Sequence, residues 1–145
     1  QIALMEPLEG AYDFLKWLRS RVQTIIVSDT FEEFSLPLMK KLGRPTLLCH
    51  SLTVDKNNSI VDYNLRQQDA KRKAIEAVKS INYSVIAVGD SYNDISMLKK
   101  ADKGILFRPS ENVKEKYPQF NAVYKYNDIK AIINDALYEK ENQTQ

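Results

Sequence analysis

Scarcity bounds what this chain of 145 residues can be. It has one cysteine, Cys49, so no internal disulfide staples it. It has one histidine, His50, which leaves no His-rich metal site and no spare candidate for a Ser-His-Asp triad. No apolar run approaches the roughly 20 residues of a membrane span. A strong charge of either sign is also absent. Lys and Arg number 21 against 19 for Asp and Glu, a net +2, which gives no reason to expect nucleic acid or an anionic membrane as partner. With no signal-peptide pattern in these residues, the cytoplasm is the expected location. Internal repeats and low-complexity segments are missing too. The chain opens at Gln1 without a methionine and enters a helical pattern almost at once, so it is expected to be the later portion of a longer protein. One core over residues 1–140 and a polar, frayed tail over 141–145 is the expected domain organisation.

What is present is an alternation of strand and helix signals. Apolar groups at Ala11, Phe14, Leu15 and Leu18 have helical spacing. Thr24-Ile25-Ile26-Val27 is a β-branched run, ending at Ser28-Asp29-Thr30. A helix is expected next, with Phe31, Phe34, Leu38 and Leu42 inward, Gly43 as its stop, and Pro37 either kinking it or delaying its start to Ser35. Thr46–Cys49 is a further run. Leu52–Val54 and Ile60–Tyr63 flank the turn residues Asp55–Ser59, which reads as a hairpin. Asp69 is placed to cap a helix over 70–80. Gly104–Phe107 and Ala122–Tyr124 are short strands. Helices are expected near Glu111–Tyr117 and after Asn127. Strands alternating with helices imply a Rossmann-like α/β fold, a parallel sheet with helices on both faces.

The most informative stretch is Val85–Asp94, Val-Ile-Ala-Val-Gly-Asp-Ser-Tyr-Asn-Asp. A short apolar strand, broken by Gly89, ends in Asp90 and turns into a helix. That puts the acid at the carboxyl edge of the sheet, where open α/β folds bind ligands. Asp94 follows in the first helical turn, and two carboxylates there can share a hard cation such as Mg²⁺. The structural alternative is a capping box, Ser91-x-x-Asp94, with Asp90 favouring the helix N-terminus. Two other junctions converge on the same edge. Ser28, with Thr30 beside it, supplies a hydroxyl and backbone N–H groups suited to a phosphate. Lys71, Arg72 and Lys73 crowd the first turn of a helix, the wrong end for cations unless an anion is held there. Singly, each is more often a cap or a solvated lysine. Jointly they describe phosphoryl-transfer chemistry: metal, cation and anion cradle.

These segments resemble the haloacid-dehalogenase-like phosphohydrolases. Val27-Ser28-Asp29-Thr30 is similar to their second motif, Lys71 (with Arg72 as rival) to their third, and Gly89-Asp90-Ser91-Tyr92-Asn93-Asp94 to their fourth. Longer strings, among them Pro45-Thr46-Leu47-Leu48-Cys49-His50 and Gly104-Ile105-Leu106-Phe107, resemble the phosphoserine phosphatases that also act as homoserine phosphotransferases. The resemblance covers about Pro7 to Asp128. It implies a Mg²⁺-dependent hydrolysis of O-phospho-L-serine through an aspartyl-phosphate, with homoserine as a further acceptor and a role in serine biosynthesis. It implies Asp90 and Asp94 at the metal, Ser28 on the phosphate with Thr30 and Asn93 assisting, and Lys71 neutralising charge. Another small phosphomonoester is the alternative substrate. An inactive truncated protein or a receiver-like binding domain is the alternative class.

One departure bears on activity. The family's nucleophile is the first Asp of Asp-x-Asp/Glu, and no Asp in this sequence begins that pattern. The first strand and the small cap that carry it are expected before Gln1. The chain alone is therefore expected to be inactive, with a sheet short of its central strand and an apolar edge prone to aggregation.

Overall fold

The structure is a computed structural model that describes residues 5–143. Two compact units make up the chain, Gln1–Ala70 and Lys71–Gln145.

The first unit runs α1 (Ala11–Arg19), β1 (Ile25–Phe31), α2 (Glu32–Lys41), β2 (Thr46–Val54) and β3 (Ile60–Asn64). β1 and β2 are parallel, and β2 turns back through Asp55–Ser59 into antiparallel β3. The expected hairpin is thus present, but Thr46–Cys49 and Leu52–Val54 are one continuous strand. Asp55 builds the turn: its Oδ1 accepts from the N–H groups of Asn57 (2.8 Å) and Ser59 (2.9 Å).

β1 extends past the expected end at Val27. Val27 pairs with Leu48 and Phe31 with His50, so β1 advances four residues while β2 advances two. Ser28, Asp29 and Thr30 are consequently a bulge in a strand rather than the loop that follows one. α2 begins at Glu32 and carries Pro37 in its interior. Proline removes one backbone donor there, and Ser35 gives the first turn a further bond, its hydroxyl donating to Phe31 O (2.9 Å).

The second unit runs α3 (Ala70–Ser80), β4 (Ile86–Gly89), a 3₁₀ turn (Tyr92–Asp94), α4 (Ile95–Lys100), β5 (Lys103–Phe107), α5 (Glu111–Lys116), β6 (Asn121–Val123) and α6 (Tyr126–Gln143). Its sheet is wholly parallel in the order β4-β5-β6. Ile75, Ala87, Ile95, Met97, Leu98, Leu106 and Val113 form its core, and Leu98, Ile105 and Leu106 are at most 1% exposed. α6 starts one residue before the expected cap at Asn127, because Asp128 reaches back to accept from the Lys125 N–H (3.2 Å). It then runs to Gln143, through residues expected to fray.

The parallel α/β class is as expected, but the strands form two three-stranded sheets rather than one. Among the described residues β1 pairs only with β2, and β4 only with β5. Both keep an open edge, with Ile25 and Val88 partly exposed.

Candidate active site

The second unit gathers Lys71, Asp90 and Asp94 at the carboxyl end of β4. Asp94 is the hub. Its Oδ1 accepts from the Lys71 Nζ at 2.8 Å. Its Oδ2 accepts from the backbone N–H of Asp90 (3.0 Å), the backbone N–H of Ser91 (3.2 Å) and the Ser91 hydroxyl (3.2 Å). Ser91 and Asp94 also complete a capping box over the 3₁₀ turn. The cap reading and the site reading are therefore both true of Asp94: one oxygen closes the cap and the other holds the lysine.

Gly89 is what lets Asp94 approach. A Cβ at position 89 would stand 2.4 Å from Asp94 Cβ and 2.7 Å from its Oδ2. The glycine of Gly-Asp-x-x-x-Asp is demanded by the carboxylate four residues beyond Asp90, packed under the strand end. From the sequence alone Gly89 reads as a strand breaker. The signal that marks it is a glycine directly before a strand-terminal acid.

Burial sets the electrostatics. The Lys71 and Asp94 side chains are 15% and 9% exposed. Burial pushes the Asp94 carboxyl up. The Lys71 ammonium and the Asp90 and Ser91 backbone donors outweigh it and hold Asp94 below the usual carboxylate range. Asp90 goes the other way: burial, then the negative charge of Asp94, raises it. Two adjacent carboxyls pushed apart in this way are a common feature of functional sites.

Two of the three cations at the start of α3 are paired. Lys71 turns to Asp94, while Arg72 Nη1 meets Glu76 Oε1 one helical turn on, at 2.5 Å. Of the two rivals, Lys71 is the one at the acidic cluster. Asn93 lies in the 3₁₀ turn and is exposed.

Ser28 and Thr30 lie together in the first unit, in the β1 bulge, where the Thr30 N–H donates to Ser28 Oγ at 3.3 Å. The bulge takes their backbone out of the regular ladder with β2. His50 is buried, accepts from the Arg66 N–H at Nδ1 (3.1 Å) and packs against Phe31. It has the surroundings of a structural histidine.

The donor set for a metal can be tested on the acids themselves. Among the described residues no group of three or more His, Cys, Asp or Glu side chains comes together. Asp90 still fits a hard cation, because a divalent ion would offset the burial and the Asp94 charge that raise its carboxyl. Asp94 has its oxygens already engaged.

A family model described as "haloacid dehalogenase-like hydrolase" matches residues 1–102. The chain belongs to the haloacid dehalogenase-like hydrolases. Within that family, it is 57% identical over 129 residues to "Phosphoserine phosphatase ThrH" of Pseudomonas aeruginosa, an alignment that covers 89% of this chain and 63% of the relative. To "Phosphoserine phosphatase" of Pseudomonas syringae pv. tomato it is 54% identical over 129 residues, covering 89% of this chain and 54% of the relative. The chain thus spans little more than half the length of these curated relatives. A solved substrate-bound phosphoserine phosphatase complex superposes with a TM-score of 0.68 at 29% identity, covering 88% of this chain and 63% of that one. No helix of the described residues is long and apolar enough to cross a membrane.

Proposed function

We propose that this haloacid dehalogenase-like chain forms the metal- and phosphate-binding portion of a phosphoserine phosphatase. The observation that carries the reading is the Asp94 hub. A buried carboxylate holds Lys71 beside an acid, Asp90. Burial and the Asp94 charge push the Asp90 carboxyl up, and the Lys71 ammonium offsets this only in part. Two relatives above 50% identity named phosphoserine phosphatase supply the substrate class, O-phospho-L-serine.

In this reading Asp90 would hold Mg²⁺, which would supply neutralisation of the phosphoryl group's charge. Asp94 takes a different part from the shared ligand the sequence suggests. It fixes the Lys71 ammonium and the Asp90–Ser91 backbone, so Lys71 is presented as a preorganised cation and the Asp90 side chain leaves from a fixed main chain. Ser28 binds the phosphate through its hydroxyl, assisted by Thr30 and the N–H groups of the bulge, and Asn93 assists from the 3₁₀ turn. The nucleophile is an aspartate of an Asp-x-Asp motif that these 145 residues do not contain. The phosphoryl group passes to that aspartate as its P–O bond to serine breaks, and serine leaves as the alcohol after its oxygen takes up a proton. The group then passes to water or to an alcohol such as homoserine, which gives up a proton and frees the aspartate. The chain alone has no turnover. The setting is cytoplasmic serine metabolism.

The test is phosphate release from O-phosphoserine, with and without Mg²⁺, by this chain and by a protein extended upstream to include an Asp-x-Asp segment. The expected result is Mg²⁺-dependent release by the extended protein alone, abolished by Asp90→Asn. Release by the extended protein that survives Asp90→Asn would remove Asp90 from the metal site. A preference for another phosphomonoester in a substrate panel would replace the substrate.

A further inference from the structure

The first unit contains a cavity of about 170 Å³ between α2 and the amino-terminal half of β2. Its apolar lining comes from Leu36, Met39, Pro45 and Leu47, of which Met39 is buried, and from the buried Cys49. Its rim is cationic: Lys40, Arg44 and Arg66 line it against a single acid, Glu32. These charges are not equivalent. Arg66 is committed, with Nε donating to Cys49 O and Nη2 standing 3.7 Å from Glu32. The side chains of Lys40 and Arg44 have no carboxylate partner among the described residues.

The turn that presents Arg44 is a left-handed stop at the end of α2. Gly43 (φ 77°) and Arg44 (φ 52°) are successive left-handed residues, and the Arg44 N–H donates to Met39 O at 2.8 Å, closing the end of α2. The side chain therefore leaves from a fixed backbone. The volume is enough for a ring or short branched chain, since a cavity of about 150 Å³ suffices for benzene.

We propose that this cavity is a binding site for a small carboxylate with a compact apolar body, its carboxylate on Arg44 and Lys40 and its body on the Leu36–Met39–Leu47 lining. A guanidinium fork matches a carboxylate in a way a bare ammonium does not, so Arg44 is the main anchor. The site shares no residue with those assigned above to phosphate chemistry, and it stands whether or not the phosphatase reading does.

Benzoate is the probe, benzamide its uncharged isostere, and Cys49 a built-in reporter because the sequence has no other cysteine. Burial pushes the Cys49 thiol up, so its alkylation by iodoacetamide is slow and limited by access. Binding is measured by ligand-observed NMR on the folded chain, and alkylation of Cys49 is followed by mass. Saturable benzoate binding is expected, with benzamide and the Arg44→Gln variant each weaker by about tenfold, a loss of about 1.4 kcal/mol. Saturating benzoate is expected to slow alkylation several-fold, and Ser28→Ala to change neither readout. Equal affinity for benzamide, unchanged affinity in both Arg44→Gln and Lys40→Gln, binding that leaves alkylation untouched, or no saturable binding would each overturn the proposal.

Discussion

The two units hold their candidate functional residues in opposite ways. In the second, Asp94 is buried and its oxygens receive four donors, so Lys71, Asp90 and Ser91 are positioned by one carboxylate. Behind it lies a core whose central residues, Leu98, Ile105 and Leu106, are at most 1% exposed. In the first, Ser28 and Thr30 share one 3.3 Å contact in a strand bulge. The most buried apolar residues there, Met39, Leu42 and Cys49, keep 6–8% exposure. A polar group in a packed, dry setting is worth more and is harder to disturb than the same group near water. The Asp94 cluster of the second unit is therefore preorganised. The first unit presents hydroxyl and backbone donors with little to hold them.

That contrast can be broken most severely at Asp94. Asp94→Asn leaves the Lys71 ammonium buried beside a neutral amide, and removing one partner of a buried pair costs about 3 kcal/mol or more. Urea denaturation should show a loss of that order, whereas Ser28→Ala in the first unit should change stability by less than about 1 kcal/mol. Equal losses at the two positions would erase the distinction between the units.

Gly89→Ala is the next largest. A methyl group 2.4 Å from Asp94 Cβ forces the strand end and the carboxylate apart. Overpacking of this kind costs about 1–3 kcal/mol. Because it displaces Asp94, it should also expose the Lys71 ammonium, which is readable as faster reaction of Lys71 with an amine-selective reagent. A glycine needed only as a strand breaker would tolerate the methyl group.

Acid sharpens the comparison. Asp94 is held below its ordinary value of 3.8, so the unfolded chain takes the proton first. Its contribution is complete above that ordinary value and is lost as pH falls through the lower folded value. Asp90 has the opposite sign. Its carboxyl is raised above 3.8, so its charge is a penalty at neutral pH that is relieved as pH falls through the raised folded value. Urea titrations across the acid range should lose the Asp94 slope in Asp94→Asn. In Asp90→Asn the neutral-pH penalty should disappear, and the variant should be at least as stable as the native chain at pH 7. A destabilised Asp90→Asn at that pH would contradict the strained assignment.

The smallest effect belongs to Arg72. Its pair with Glu76 is an i,i+4 contact with both side chains about one-third exposed, worth about 0.5 kcal/mol. Arg72→Ala should lower the urea midpoint slightly, and Lys71→Ala far more. Similar losses would mean that Arg72 shares the buried role.

Much of this arrangement was legible in the residues, and the exceptions have physical reasons. α3 falls on Ala70–Ser80 as its apolar spacing indicates, because an amphipathic stripe is a local signal. The capping box at Ser91 and Asp94 is equally local. The pairing of Lys71 with Asp94 joins residues 23 apart, and no local pattern distinguishes Lys71 from Arg72. The β1 bulge is hidden for a related reason. Ser28-Asp29-Thr30 has the composition of a loop, and only the pairing of Phe31 with His50 keeps it in the strand. The division into two sheets is likewise a matter of which strands pair, which alternation of strand and helix leaves open. α6 outruns its apolar stripe because a polar helix end can continue on intrinsic propensity alone.

The most direct measurement is a double-mutant cycle between Lys71 and Asp94. Native chain, Lys71→Met, Asp94→Asn and the double variant are unfolded in urea under the same conditions. If Asp94 organises the site by holding Lys71, the two single losses will be strongly non-additive, with a coupling of about 2 kcal/mol or more and a double variant little worse than either single. Losses that add to within about 0.5 kcal/mol would show that the two residues act independently, and the account of a site built around Asp94 would be wrong.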